Sequence, residues 1–458
     1  MAETNLMEKI VALCKRRGFI FQSSEIYGGL NGAWDYGPLG AELKRNIKDY
    51  WWKCMTQWRD DIVGMDGAIL MNRAVWKASG HEATFSDPMV DCKTCKGRFR
   101  ADQVGNTPCP QKPSKMVNSC GGECTEPRSF NLMFKTYVGP VEDDSNLAYL
   151  RPETAQAMFV QFKNVMEVSR KKLPFGIAQI GKAFRNEINP RNFTFRSREF
   201  EQMEIEFFVK PDTGREWLER WLQDRLDWYE KIGIPRAKIH ILDVPESDRA
   251  FYSKGTYDLE YEFPFGVNEL EGIAYRTDYD LKQHQEASGK PLEYFDEETR
   301  TKYIPHVVEP SAGVDRTVLA VLCEAFSEET VTDEESGKSE VRTVLRFMPR
   351  IAPIKVGILP LVKNKPELVA KAKEITQSLR KYMTVFYDDA GAVGRRYRRQ
   401  DEAGTPFCVT VDFETIEGIK EGAQAGLKDT VTLRYRDSMK QERVSIADLL
   451  HKLLELID

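Results

Sequence analysis

Long apolar runs are missing from this chain of 458 residues, and nothing in it approaches the roughly 20 apolar residues that a membrane helix needs. The opening residues, MAETNLMEKIVALCKRRGF, carry acids within their first ten positions and no unbroken apolar segment. That pattern argues against a secretory leader and for the cytoplasm, with no membrane partner. Histidine is scarce: His81, His240, His284, His306 and His451 are scattered, and no catalytic role is assigned to them. Both glycine-rich phosphate cradles are absent as well. Gly337-Lys338-Ser339 resembles the end of a phosphate loop, but Thr332 stands where a glycine is required and no strand precedes it. No Gly-x-Gly-x-x-Gly fingerprint occurs. Any nucleotide site in this chain would therefore have to use arginines rather than a glycine cradle. No internal repeat is evident.

At 41% hydrophobic and 30% charged residues, the composition is that of a globular enzyme, and the length calls for two or three domains. The net charge of −5 excludes a general polyanion binder. The balance is uneven, because residues 351–458 hold 18 Lys and Arg against 16 Asp and Glu, which suits a nucleic-acid contact there. Five of the nine cysteines lie between Cys92 and Cys124. Cys92-x2-Cys95 followed by Cys120-x3-Cys124 supplies four thiolates at zinc-knuckle spacing, and Cys109 is a fifth candidate. Four thiolates would close the coordination sphere, so such a zinc would be structural. A reduced cysteine-rich loop without metal is the alternative. Cys14, Cys54, Cys323 and Cys408 read as packed thiols.

A helix over 6–17 leads into a Gly-rich turn and Trp34-Asp35-Tyr36-Gly37-Pro38-Leu39-Gly40. Leu39, Leu43, Ile47, Tyr50 and Trp51 then recur at helical spacing, either as core or as a subunit interface. Residues 88–128 form a Cys-, Gly- and Pro-rich insertion with little periodicity. Arg151-Pro152-Glu153-Thr154-Ala155-Gln156 opens another helix, and 216–231 is amphipathic and Trp-rich. Strands are expected around 238–243, 256–263 and 270–276, and residues 328–340 read as an exposed acidic loop. After Pro349–Pro353 the pattern changes to alternating strand and helix: strands over 354–359, 383–387, 407–411 and 431–435, helices over 366–381 and 445–457. In that segment Arg395, Arg396, Arg398 and Arg399 surround Tyr397, a pattern for phosphate contact and base stacking or for a solvated helix face.

The most informative stretch is GKAFRNEINPRNFTFRSREFEQMEIEFF, residues 181–208. Strand alternation points Gln202, Glu204 and Glu206 one way, beside four arginines at the turn. Arginines suit nucleotide phosphates, and carboxylates suit an ammonium; a salt-bridged surface hairpin is the plain alternative. A third cluster, Glu309 to Arg316, puts a cation in the first turn of an apolar helix, where the helix dipole disfavours it and an anionic partner would help.

Together these runs resemble the class II glycyl-tRNA synthetases of the homodimeric bacterial and eukaryotic type. Residues 34–40 match motif 1, Phe184 to Glu204 motif 2, and Glu309 to Arg316 motif 3. Thr125–Asn131, Arg151–Gln156, Arg276–Leu281, Gly394–Glu402 and Arg436–Gln441 are further family-like runs. Class I signatures are absent; Lys115-Met116-Val117-Asn118-Ser119 only imitates one. The resemblance implies an α+β catalytic domain over residues 1–349, with an antiparallel sheet flanked by helices, and an α/β anticodon-binding domain over 350–458. It also implies a homodimer built around motif 1, with Pro38 and its apolar stripe near the interface. ATP, Mg²⁺, glycine and tRNA(Gly) are the implied ligands. Arg185, Arg196 and Arg316 would be the catalytic cations. The ATP site would comprise Arg185, Asn186, Glu187, Phe195, Arg196, Ser197, Arg198, Glu199, Phe200, Glu269, Leu270, Gly313, Val314, Asp315 and Arg316, with Phe200 stacked on adenine. Glycine would meet Arg100, Glu153, Phe200, Glu201, Gln202, Met203, Glu204, Glu309, Pro310, Ser311, Ala312 and Gly313. Relatives often carry CxxC then CPxCGG, and Cys120-Gly121-Gly122 fits the last half; Val117 stands where the preceding Cys is expected. The metal set is thus Cys92, Cys95, Cys120 and Cys124, with Cys109 competing for the fourth place. Another class II synthetase, or an inactive RNA-binding paralogue, is the rival reading; the retained Arg185, Arg196 and Arg316 argue against the paralogue.

Overall fold

The computed structural model describes residues 2–332, 339–418 and 426–458. The middle of the acidic stretch, Gly337 and Lys338 included, lies outside the described residues.

A seven-stranded sheet organises the larger part. In chain order its strands are β1 (Ile62–Gly64), β2 (Phe175–Phe184), β3 (Glu199–Val209), β4 (Ile239–Asp243), β5 (Gly255–Phe263), β6 (Gly266–Thr277) and β7 (His306–Gly313). Their spatial order is β4-β5-β6-β7-β3-β2-β1, antiparallel throughout except for the β2–β1 edge. β2 and β3 pair without a slip from Phe175↔Phe208 to Phe184↔Glu199. One face of β3 presents Met203, Ile205 and Phe207. These pack into the main core beneath α2 (Pro38–Trp52), α4 (Gly214–Lys231) and α6 (Val314–Ala325). The opposite face is covered at one end only. There Phe208 joins Phe162 and Phe159 of α3 (Ala155–Ser169) and Leu281 of α5 (Tyr279–Ser288). The other end of that face, carrying Gln202 and Glu204, is left for polar business.

The smaller part is a five-stranded sheet with its own core. In chain order its strands are β8 (Val356–Pro360), β9 (Val385–Tyr387), β10 (Phe407–Val411), β11 (Thr430–Tyr435) and β12 (Gln441–Ser445). The spatial order is β9-β8-β10-β11-β12, with β8 parallel to both neighbours and the remainder antiparallel. Its core joins Leu368, Ile375 and Leu379 of α7 (Pro366–Leu379) to Leu449 and Leu453 of α9 (Ile446–Ile457).

Several expectations change. The stripe on α2 is core: Leu43, Ile47, Tyr50 and Trp51 are buried inside this chain, because α2 lies across the sheet rather than outside it. Near motif 1 the exposed apolar side chains include Ile26, Tyr27 and Leu30, in the Gly-rich turn that precedes it. Of the expected loop 328–340, the described residues 328–332 and 339–340 belong to two paired strands, Phe326–Thr332 and Ser339–Leu345, in register from Phe326↔Leu345 to Thr332↔Ser339. Their threonines and valines favour a strand, and Glu329 is neutralised by Arg342 and Arg346. The Cys-rich insertion is also ordered. Arg98–Arg100, Ser86–Asp91 and Arg128–Asn131 form a small sheet, and Val90, Cys92, Phe99 and Val117 form a small core. The helix expected from Arg151 starts at Ala155, with Glu153 standing ahead of it. In the basic run, α8 (Val393–Ala403) turns Arg396 inward to the carbonyls of Gly391 and Pro360, and Arg399 binds Asp388. Only Arg395 and Arg398 are exposed, because helical period puts positions 396, 400 and 403 on the inner side.

The start of α2 is pinned to the preceding chain. Gly37 N–H donates to Phe19 O at 3.0 Å and Leu39 N–H to Gly18 O at 3.1 Å. A Cβ on Gly40 would stand 1.8 Å from the Phe19 carbonyl oxygen, a backbone atom that cannot swing aside. Gly40→Ala should therefore destabilise the protein by about 1–3 kcal/mol or more, read as a lower melting midpoint; an unshifted midpoint would contradict this packing.

Candidate active site

Strand register builds the floor of the site. Gln179, Glu204, Ser311 and Gly272 lie in one row across β2, β3, β7 and β6, and Gly181, Gln202 and Gly313 form the next. Because alternate residues share a face, these side chains all rise on the side left open by α3 and α5. The rows mix long polar residues with glycine and serine, so the floor is low where Gly272 and Gly313 stand. A Cβ on either glycine would meet nothing nearer than 3.5 Å. Above this floor is a cavity of about 300 Å³ with two chemically distinct ends.

One end is cationic and aromatic. Arg185, Arg196 and Arg316 line it with Phe195 and Phe200. The Arg316 guanidinium lies 4.6 Å from the Phe195 ring centroid, donates to Phe195 O and Glu269 O at 3.2 Å each, and is 3.3 Å from the Glu269 carboxylate. Arg185 donates to Pro152 O at 3.0 Å, with its guanidinium 5.3 Å from the Phe200 ring. Arg196 Nε lies 3.1 Å from Glu187 Oε2. Burial, only partly offset by Glu187, lowers the Arg196 pKa, so an added anion would restore what desolvation removes. Asp258 faces the same end, pushed up to about 6 by burial and by Glu269 and Glu260.

The other end is a buried acidic cage. Glu204 accepts from Ser311 Oγ at 2.7 Å and from the Thr154 hydroxyl. Glu309 accepts twice from Arg276 Nη1, at 2.9 Å to each oxygen. The remaining Arg276 donors hold Asp280 at 2.8 and 2.9 Å, and the guanidinium lies 3.9 Å from the Tyr252 ring centroid. Glu153 accepts from Gln156 at 3.0 Å and lies 3.2 Å from His81 Nε2. Burial alone would raise Glu153, but His81, Arg276 and Gln156 outweigh it and hold that carboxyl well below the usual range. For Glu309 burial wins, aided by Glu204 and Glu153, and raises it to about 8 despite Arg276. Glu204 is raised by burial and by Glu153.

Of the residues expected at the site, Arg185, Glu187, Phe195, Arg196, Ser197, Phe200, Gln202, Glu269, Leu270, Glu309, Ser311, Gly313, Asp315 and Arg316 line the cavity. Glu204 lies beneath Ser311, and Glu153 at the acidic end. The rest are elsewhere. Glu201, Met203, Pro310 and Ala312 occupy intervening strand positions and face away: Glu201 binds Lys44 and Lys48, and Met203 and Ala312 are core. Val314 is core as well. Arg198 turns to the carbonyls of Glu187 and Asn31, Glu199 pairs with Lys182, and Asn186 is tied through its backbone to Leu132 O. Arg100 binds Asp87 and Asp102 in the Cys-rich lobe, within electrostatic reach of Glu187 and Arg196. The strand period separates these sets, whereas contiguous motif runs merge them.

Five contributors were missed. Arg276 and Asp280 carried a signal, the i,i+4 Arg–Asp spacing inside a run already noted. Asp258 sits on a recognised strand. Tyr252 and His81 come from irregular or short segments whose placement only the fold supplies.

This fold and cavity define a class II aminoacyl-tRNA synthetase core: the family model described as "tRNA synthetase class II core domain (G, H, P, S and T)" matches residues 137–325, and "Anticodon binding domain" matches residues 355–456. A glycine--tRNA ligase of Treponema denticola is 54% identical over 448 residues, spanning 98% of this chain and 96% of the relative. One of Thermobifida fusca is 51% identical over 467 residues (99% and 98%), and one of Borreliella burgdorferi 52% over 448 residues (97% and 96%). The chain belongs to the glycine--tRNA ligase family.

Arg276 is the cation that lets the acids coexist. Arg276→Gln leaves Glu309 and Asp280 buried without their partner and should cost about 3–5 kcal/mol, seen as a lower unfolding midpoint. Wild-type stability would contradict that role.

Proposed function

We propose that this protein activates glycine with ATP and esterifies it to tRNA(Gly). A glycine carboxylate oxygen attacks the α-phosphorus, an O–P bond forms, and the bond to pyrophosphate breaks. A terminal ribose hydroxyl of the tRNA then attacks the adenylate carbonyl, its proton is released, and AMP leaves. The observation that carries this reading is the polarity of one cavity, with three arginines at one end and an acidic cage at the other. Arg185, Arg196 and Arg316 are placed to meet the negative charge that grows on the phosphorus oxygens, which requires no protein nucleophile. Phe200 offers a face for adenine. Glu269 and Asp258 are the carboxylates that would hold Mg²⁺ there, and that ion would supply further charge neutralisation on the phosphates.

Glycine has only an ammonium and a carboxylate to grip. Glu153, Glu204, Glu309 and Ser311 surround the ammonium in this reading, and Tyr252 with Arg276 fills the space that a side chain would need. A small pocket rejects larger amino acids by bulk, so no editing domain is called for.

The exposed Arg395 and Arg398 of α8 are candidates for the tRNA contact of the anticodon-binding part, taken as residues 350–458 beside a catalytic 1–349. Ile26, Tyr27 and Leu30, at 89%, 87% and 58% exposed, form an apolar patch that a second copy would cover in a homodimer. A protein of this activity works in the cytoplasm, where tRNA is charged.

The Cys-rich lobe is a candidate zinc site. Cys92 and Cys124 share a backbone bridge, Cys95 N–H donates to Cys92 Sγ at 3.5 Å, and Gly122 lies between the sulfurs of Cys92 and Cys120. The donor chemistry fits structural zinc. Among the described residues, however, the only group of His, Cys or carboxylate ligand atoms all within 4.8 Å of one another is Glu204, Glu206 and Glu309, so the thiols would have to draw together around the ion. Purified protein should carry about one zinc, and whichever of Cys109→Ser and Cys124→Ser loses it identifies the fourth ligand. Zinc near zero equivalents would end this assignment.

An amino-acid-dependent ATP–pyrophosphate exchange panel should respond to glycine alone. Glu204→Gln should raise the glycine KM about 100-fold, the order expected for a lost hydrogen bond to a charged group, and leave the ATP KM within about 3-fold. Equal loss for both ligands would remove the ammonium assignment.

A further inference from the structure

Glu206 has no place in the scheme above, yet it is fully buried and aimed at the acidic cage. It follows Glu204 on the same face of β3, between the register pairs Glu204↔Ser311 and Phe207↔Val308, which sets it beside Glu309. Its ligand atoms lie within 4.8 Å of those of Glu204 and Glu309. Among the described residues, neither Glu206 carboxylate oxygen has a hydrogen-bond partner. The three acids differ in their donors. Glu204 has the hydroxyls of Ser311 and Thr154. Glu309 has two bonds from Arg276. Glu206 has none, and the charged groups facing it are Glu309 on β7, Arg276 on β6, Glu204 on its own strand and Asp280 on α5. Arg276, the one cation among them, is already divided between Glu309 and Asp280.

An ionised carboxylate cannot remain there without a donor. A neutral carboxylic acid can, since it turns one oxygen into a donor and its neighbours are acceptors. We propose that Glu206 is a positioning residue: a protonated carboxylic acid whose hydroxyl donates to a carboxylate oxygen of Glu204 or Glu309 and keeps that pair oriented toward the glycine ammonium. Burial, then the charge of Glu309, moves Glu206 far above the ordinary carboxylate range, in keeping with this assignment. The arrangement keeps one fewer negative charge in the cage than the count of acids suggests, which lessens the repulsion that an ammonium and Arg276 have to offset. The inference rests on the glycine-site reading above.

The test compares Glu206→Leu, Glu206→Gln and Glu204→Gln in glycine-dependent ATP–pyrophosphate exchange, with thermal unfolding of each. Leucine removes the donor and relieves a buried unpaired acid. It should leave the melting midpoint unchanged or higher while raising the glycine KM about 30-fold, with the ATP KM barely altered. Glutamine restores a neutral donor and should recover the glycine KM to within about 5-fold of wild type. A glycine KM unchanged by leucine would overturn the proposal, as would a glutamine variant as impaired as Glu204→Gln, which would mean that the negative charge is needed. If leucine prevents folding, the glutamine variant decides alone: a glycine KM within about 5-fold of wild type supports a neutral donor, and one as impaired as Glu204→Gln overturns the proposal. A Glu204→Gln variant with wild-type glycine KM would instead overturn the glycine-site reading itself, leaving the two failures distinguishable.

Discussion

One guanidinium holds the acidic end of this molecule together. Arg276, nearly inaccessible to solvent, gives two donors to Asp280 and a doubled contact to Glu309, and lies on the Tyr252 ring. Four carboxylates, Glu153, Glu204, Glu206 and Glu309, could not otherwise be buried so close together. Even with Arg276 in place, burial raises Glu309 to about 8, so residual desolvation and repulsion persist. A site in that condition favours a small cation. In the proposed function an incoming ammonium relieves that cost, which the fold already carries.

The arrangement is possible because the sheet has two unlike faces. Met203, Ile205 and Phe207 go down into the main core, while Gln202, Glu204 and Glu206 go up. The upward face is then divided along its length. Near Phe208 it is sealed by α3 and α5; near Gln202 it opens onto the arginines. Gradual passage from apolar seal to acidic cage to cationic end within a few strand residues gives the cavity its two unlike ends. The glycines and the serine on the central strands keep the floor low under the proposed junction between the two.

Much of this was legible beforehand because it depends on local period. The alternation of β3 placed Gln202, Glu204 and Glu206 on one face, and the Arg316 position at the head of α6 was a dipole argument. Family resemblance joined those parts, and kinship to the glycine--tRNA ligases bears it out. What stayed hidden was non-local. The α2 stripe could not say whether its cover lay in the same chain, and the chain's own core supplied it. Arg396 looked like a nucleic-acid contact until α8 turned it inward onto Pro360. Residues 328–332 and 339–340 looked like solvated loop because the arginines that neutralise Glu329 stand on the partner strand. Tyr252 and Arg276 meet only after a loop and two strands are assembled, which no spacing reports.

The central claim is that the arginine end takes the nucleotide and the acidic cage takes the ammonium of glycine. A crystal structure with a nonhydrolysable glycyl-adenylate analogue tests it most directly. The account predicts the amino group at about 3 Å from Glu204 and Ser311, the phosphate among Arg185, Arg196 and Arg316, and the adenine against Phe200. An analogue bound with its amino end outside the cage, or in a different cavity, would contradict it.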